Sequence, residues 1–167
     1  KYKIILFEPE PVVAHPQIRN NIIVDNVAVN GAGIAVEGDL VTNLIPPPPS
    51  APLITNNIIA RNEAFQNGGG IGCWGHTAAV ISNNHILANS ACLYEPGWDG
   101  DDPVGPWLVG GGGIFASKKD MSGQPLAYAI CAPGIISNVV AANGANLGGG
   151  ICIVDYPLSS EPNNPPP

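Results

Sequence analysis

Positive charge is scarce in this chain: lysine and arginine together number 6 among 167 residues, nowhere clustered, and the formal net charge is -7. Without a cationic footprint there is nothing to hold a phosphate backbone or an anionic membrane surface, so nucleic acid is not an expected partner. Long apolar runs are also missing. Runs such as Ile4 to Phe7 and Ala78 to Ile81 fall far short of the roughly 18 residues a bilayer span needs, and no membrane insertion is expected. No basic, apolar leader opens the sequence, so an exported form is expected to have shed it already. There is no N-x-S/T sequon, which excludes N-glycosylation through that signal. The four cysteines, Cys73, Cys92, Cys131 and Cys152, form no CxxC pair and no Cys/His ligand spacing, which argues against structural zinc and leaves three possible pairings if all are oxidised.

What is there is apolar and rich in turn residues. With 45% hydrophobic and 11% charged residues the chain reads as a folded domain, yet it carries 21 Gly and 18 Pro without collagen's every-third-residue order. The explanation is a phrase written four times: PQIRNNIIVDNVAVNGAGIAV from Pro16, PLITNNIIARNEAFQNGGGIGC from Pro52, AVISNNHILANSACLY from Ala79 resuming at GGGGIFA, and PGIISNVVAANGANLGGGICIV from Pro133. Aligned, the copies give uniform columns. Ile18, Ile54, Ile81 and Ile135 form one; Ile23, Ile59, Ile86 and Val140 another; Ala28, Ala64, Ala91 and Ala145 a third; and Ile34, Ile71, Ile114 and Ile151 a fourth. Two Asn columns, Asn21, Asn57, Asn84, Asn138 and Asn26, Asn62, Asn89, Asn143, run beside them, with Asn20, Asn56, Asn83 and Ser137 as a third polar column. The copies are spaced by 36, 27 and 54 residues, so a unit of 27 is lengthened by insertions at one loop position.

Helices are a poor reading of this unit, because β-branched residues, Asn and triple Gly are unfavourable in a helix interior. Short strands broken at fixed places by Asn and Gly instead suit a coil of three parallel strands per turn, each corner needing a tight bend or positive φ. Successive turns stack at about 4.8 Å, so like residues lie over like. The Asn columns then become structural ladders, since a side-chain amide both donates and accepts along the stack. The Ala column marks a tight inward position, and each GGG a corner of close backbone approach.

With these columns in hand, the sequence resembles the right-handed parallel β-helix superfamily, pectin-lyase-like in fold, in particular secreted bacterial repeat proteins whose rungs read I-x-N-N-x-I-x-x-N-x-A-x-x-G-G-G-I. The resemblance covers Pro16 to Val154. It implies an all-β solenoid of about four rungs, an extracellular or cell-surface location, and carbohydrate as the commonest ligand theme. Enzymes of that fold usually carry many more rungs and sealed ends. The expected organisation is an N-terminal strand and linker over 1–15, the parallel β-helix over 16–156, and a Pro-rich tail over 157–167.

Chemistry-bearing residues are few. The insertion LYEPGWDGDDPVGPWLV is long, acidic and aromatic. Its Asp99, Asp101 and Asp102 could offer oxygen ligands to calcium, the one cofactor the chain suggests. Tyr94, Trp98 and Trp107 in that loop, with Trp74, have faces suited to sugar rings. Alternation after GGGI points Glu37, Trp74, Ser117 and Val154 outward as one column and Asp39, His76, Lys119 and Tyr156 as the next. Asp39, His76 and Lys119 on successive rungs would lie about 5 Å apart, within reach of acid–base coupling and the best catalytic set available. His85 is expected on the surface.

A coil end exposes unpaired backbone and an apolar cross-section. The expected partners are therefore copies of the chain, meeting through the coil ends, and glycans. The expected function is a structural extracellular β-solenoid, either a filament subunit or a segment of a larger surface adhesin. A carbohydrate-binding module and a lyase or epimerase acting on acidic glycans are the alternatives. No complete catalytic set supports an enzyme outright.

Overall fold

The computed structural model describes residues 15–38, 48–92, 110–119 and 130–154. The flanking 1–14 and 155–167, and the acidic aromatic insertion, lie outside the described residues. Sixteen strands and no helix occur among the described residues, so no helix there is long and apolar enough to cross a membrane.

The strands fall into four rungs. The first holds β1 (Gln17–Arg19), β2 (Ile22–Val24), β3 (Val27–Ala28) and β4 (Ile34–Glu37), and the second β5 (Leu53–Thr55), β6 (Ile58–Ala60), β7 (Glu63–Ala64) and β8 (Ile71–Trp74). The third holds β9 (Val80–Ser82), β10 (His85–Leu87), β11 (Ser90–Ala91) and β12 (Ile114–Ser117), and the fourth β13 (Gly134–Ile136), β14 (Val139–Ala141), β15 (Gly144–Ala145) and β16 (Ile151–Val154). Strands at the same position in each rung pair in parallel, giving four sheets of four strands. The chain is an all-β parallel β-helix.

Each turn of the coil thus has four strands where the sequence pattern suggests three. The additional one is the strand through the Ala column, only two residues long in every rung, such as Val27–Ala28. A strand that short has no alternation of its own to read.

The register matches the repeat residue for residue. Ile18 pairs with Ile54, Ile54 with Ile81, and Ile81 with Ile135, while Ile34, Ile71, Ile114 and Ile151 align in the fourth sheet. Ile54, Ile59, Ile71, Ile81, Ile86 and Ile114 are all fully buried and form the main core. Burying such a side chain is worth about 1.5–3 kcal/mol, which makes these columns the chief source of stability. The Ala column, joined by Ala32, packs as a second small cluster where the cross-section narrows.

Three corners turn on a residue in the left-handed region. Asn20, Asn56, Asn83 and Ser137 (φ 53 to 58°) separate the first and second sheets, and Asp25, Arg61, Ala88 and Ala142 (φ 52 to 59°) the second and third. Glycine serves the third corner, as at Gly68 with φ of 70°. At each of the first two corners a ladder Asn follows directly.

Insertions enter at two places, not one. The passage from third to fourth sheet spans 65–70 in one rung but 92–113 in the next, and the passage from fourth sheet to the following rung spans 75–79 in one case but 38–52 and 118–133 in the others. Parallel bridges Ser50↔Thr77 and Thr77↔Cys131 keep the second kind of passage in register despite the difference in length.

Candidate functional site

The outer face of the fourth sheet carries the expected column: Glu37 aligns with Trp74, Trp74 with Ser117, and Ser117 with Val154. Its middle is not accessible. Trp74 is 2% exposed, its ring centroid 5.7 Å from that of Phe115, and a Cβ added at Gly72 would fall 1.9 Å from the Trp74 indole. Gly72 is therefore the seat of the indole, and Trp74 presents no free face to a sugar ring. Alternation sets the direction of a side chain and leaves open whether something covers it, and here the indole of Trp74 is covered.

His76 is likewise 2% exposed, and its Nδ1 accepts the Ile130 backbone N–H at 3.0 Å. A ring nitrogen engaged as acceptor for a backbone donor is a pin, holding the entry to the fourth rung, and is poorly placed to take a substrate proton. Lys119 is half-buried; its backbone N–H donates to Ser117 Oγ at 3.2 Å and its carbonyl accepts from Gly75 N–H at 3.0 Å. Asp39, the third member of the expected catalytic set, lies outside the described residues. So do Tyr94, Trp98 and Trp107 of the sugar-contact set and Asp99, Asp101 and Asp102 of the calcium set. Among the described residues no group of three His, Cys, Asp or Glu side chains is placed to hold a metal ion. His85 is exposed on the second sheet.

The cysteines occupy different surroundings. Cys73 points into the core, aligned with Val36 and Ala116, whereas Cys152 aligns with Gly72 and Phe115 on the outer face. A one-residue offset along a strand sends a side chain to the opposite face, so these two are separated by the sheet itself. Cys131 lies against the core with its Sγ 3.5 Å from the Cys73 carbonyl oxygen. All four are free thiols. Burial pushes the Cys131 thiol up to about 11, partly offset by a Ser117 backbone hydrogen bond and Lys118. Burial, with Cys131 beside it, pushes Cys73 up further still.

The most organised polar arrangement is the pair of Asn ladders. Asn57 Oδ1 accepts both the backbone N–H and the Nδ2 of Asn21, at 3.0 and 3.1 Å. Asn57 Nδ2 in turn donates to Asn84 Oδ1 at 2.9 Å and to the Ile18 carbonyl at 2.9 Å. Asn84 repeats this with Asn138 and Ile54. The second ladder, Asn26, Asn62, Asn89, Asn143, has the same form. Every interior amide uses two acceptor sites and both donor hydrogens, and no buried side-chain N or O among the described residues is left unpaired.

Two further stacks escape the sequence reading. Asp25 and Arg61, neighbours in the second corner column, form a two-pronged ion pair at 2.7 and 2.8 Å, which holds the Asp25 carboxyl below its ordinary range. Asn30 and Asn67 extend an amide stack at the third corner, Asn67 N–H donating to Asn30 Oδ1 and Asn67 Oδ1 accepting from Gly110 N–H. The signal for the first was the residue before each second-ladder Asn, but Asp, Arg and Ala share no chemistry that would mark a column.

The two end rungs differ from the middle. Ile151 and Ile153 of the last rung are 43% and 62% exposed, although their partners Ile114 and Ala116 are fully buried. Ile18, Ile23, Ile135 and Val140 are only partly buried. At the first rung a shallow cleft of about 170 Å³ opens between Ile18, Val36 and Pro52, with Glu37 in its lining. Comparison with known proteins adds nothing to this picture: no family model, no curated protein and no solved structure matches the chain.

Proposed function

We propose that the chain is an extracellular structural β-solenoid that associates end to end, as a filament subunit or as one segment of a larger surface adhesin. The observation that carries this reading is the contrast between middle and end rungs: inward isoleucines fully buried at Ile71 and Ile114 continue into Ile151 at 43% exposure. An apolar cross-section bordered by unpaired strand edges gains free energy when another rung covers it. Few charges, and none clustered in the cationic sense, leave little to keep such ends apart. Identical contacts repeated head to tail build a line.

The catalytic alternative has less to stand on, because His76 is buried and already engaged by the Ile130 N–H. Negative-stain microscopy and sedimentation velocity of the purified chain over a wide concentration range test the proposal. Rods or a size distribution that grows with concentration are expected, and a strictly monomeric particle at the highest concentration would sink it.

A further inference from the structure

The Asn ladders have a direction. In each step the earlier rung supplies the donors, backbone N–H and Nδ2, and the later rung supplies the accepting Oδ1. The second ladder runs the same way. The polarity reaches both ends. Asn138 and Asn143 of the fourth rung turn one Nδ2 hydrogen back to the Ile81 and Ile86 carbonyls. Their backbone N–H groups and second amide hydrogens meet no acceptor among the described residues. In the first rung the Oδ1 atoms of Asn21 and Asn26 receive no donor among the described residues, and Asn21 Nδ2 falls back on the nearby Arg19 carbonyl at 3.0 Å.

We infer that a second copy of this chain docks its first rung onto the fourth rung in register, ladder on ladder. The inference rests on the end-to-end reading above and specifies its joint. The fourth rung presents four donors at two positions, and the first rung presents the two oxygens that each accept a pair of them. The apolar columns agree: Ile135, Val140 and Ala145 meet Ile18, Ile23 and Ala28, all partly buried now. On the first rung Ile34 and Val36 are already 6% and 8% exposed, so that side gains its burial on the first three sheets, whereas on the fourth rung Ile151 and Ile153, now 43% and 62% exposed, are covered as well. In the second corner column, Asp25 of the arriving copy comes to lie beside Ala142. A symmetric pairing of like ends would set donors against donors or acceptors against acceptors, so the joint is heterologous and open-ended.

The test uses charge placed at each end of the full chain. Asn21→Lys with Asn26→Lys puts donors where the first rung has acceptors; Ser137→Asp with Ala142→Asp puts anions beside the fourth-rung donors, close to Asp25 of the neighbour. All four positions are exposed, and Asp is well tolerated at the left-handed φ of 53 and 55° found at Ser137 and Ala142. Sedimentation velocity should show each variant alone associating at least about ten-fold more weakly than the unmodified chain, a loss of about 1.4 kcal/mol. An equimolar mixture should regain association, because one new joint pairs opposite charges and the other is the native joint. Either variant assembling alone like the unmodified chain would overturn the ladder joint while leaving self-association standing, and so would a mixture that stays dispersed although both variants melt cooperatively. If a double variant does not melt cooperatively, Asn26→Lys or Ala142→Asp replaces it and is judged in the same way. An unmodified chain that never associates would instead remove the end-to-end reading itself.

Discussion

Asn57 and Asn84, in successive rungs, are joined twice: the backbone N–H and the side-chain Nδ2 of Asn57 both donate to Asn84 Oδ1, each at 2.9 Å. Both residues are buried, at 1% and 0% exposure. Asn84→Ala would strand these two donors and the Ile54 carbonyl, and an orphaned buried polar group costs about 1–3 kcal/mol. Urea denaturation should show a loss of about 3 kcal/mol or more. At the exposed end of the same ladder, Asn21→Ala should cost less than about 1 kcal/mol. Equal losses at the two positions would mean that the ladder is not what holds the rungs together.

Ala88 adopts φ of 52° on an exposed corner. A left-handed conformation costs a residue with a Cβ about 1–2 kcal/mol, so Ala88→Gly should raise the urea midpoint, by an amount approaching about 1 kcal/mol. Ala141→Gly, at a strand position of the fourth rung, is the control and should lower it. A stabilisation at both sites, or at neither, would contradict the corner geometry.

Much of this fold is legible in the residues. The Ile, Ala and Asn columns map onto aligned strands and ladders without a slip, because, Val140 apart, each column is written in one residue type. The second corner was not legible, since Asp25, Arg61, Ala88 and Ala142 share only a backbone conformation. The fourth strand per turn was missed because it is two residues long, and the second insertion point because unequal spacings add up lengths without locating them. Of the candidate site, directions were legible and surroundings were not. Trp74 and His76 lie on the expected outward strand and strand end, yet they are covered. Cys73 and Cys152 lie on corresponding strands, and a one-residue offset divides them between core and outer face.

The Trp74 indole, lying over Gly72 and beside Phe115, is a packing element. Trp74→Ala should cost about 3–5 kcal/mol, and Gly72→Ala about 1–3 kcal/mol by forcing the indole from its seat. Thermal melting followed by tryptophan fluorescence reads both. A Gly72→Ala protein with unchanged melting and emission would show that the ring does not rest there.

Stability should fall in alkali through the buried thiols. Unfolded Cys131 ionises near 9.0, whereas in the folded chain burial holds it protonated to about 11. The stabilisation is therefore complete below pH 9.0 and is lost as the pH rises through about 11, with buried Cys73 acting in the same direction. Urea midpoints at pH 8, 10 and 11 should decline more steeply for the unmodified chain than for Cys73→Ala with Cys131→Ala. Identical slopes would place both thiols in water.

The corners differ in one respect with consequences of their own. Between the first three sheets a bend consists of one left-handed residue and one ladder Asn, so its length is locked by the hydrogen bonds on either side. Among the described residues the passages bordering the fourth sheet have no Asn ladder running through all four rungs, and there the number of residues differs from rung to rung, with the longest passages at 38–52, 92–113 and 118–133. Variety in this architecture is thereby confined to two seams running along the coil, where new segments can be acquired, exchanged or discarded while the spine beneath them keeps its pitch.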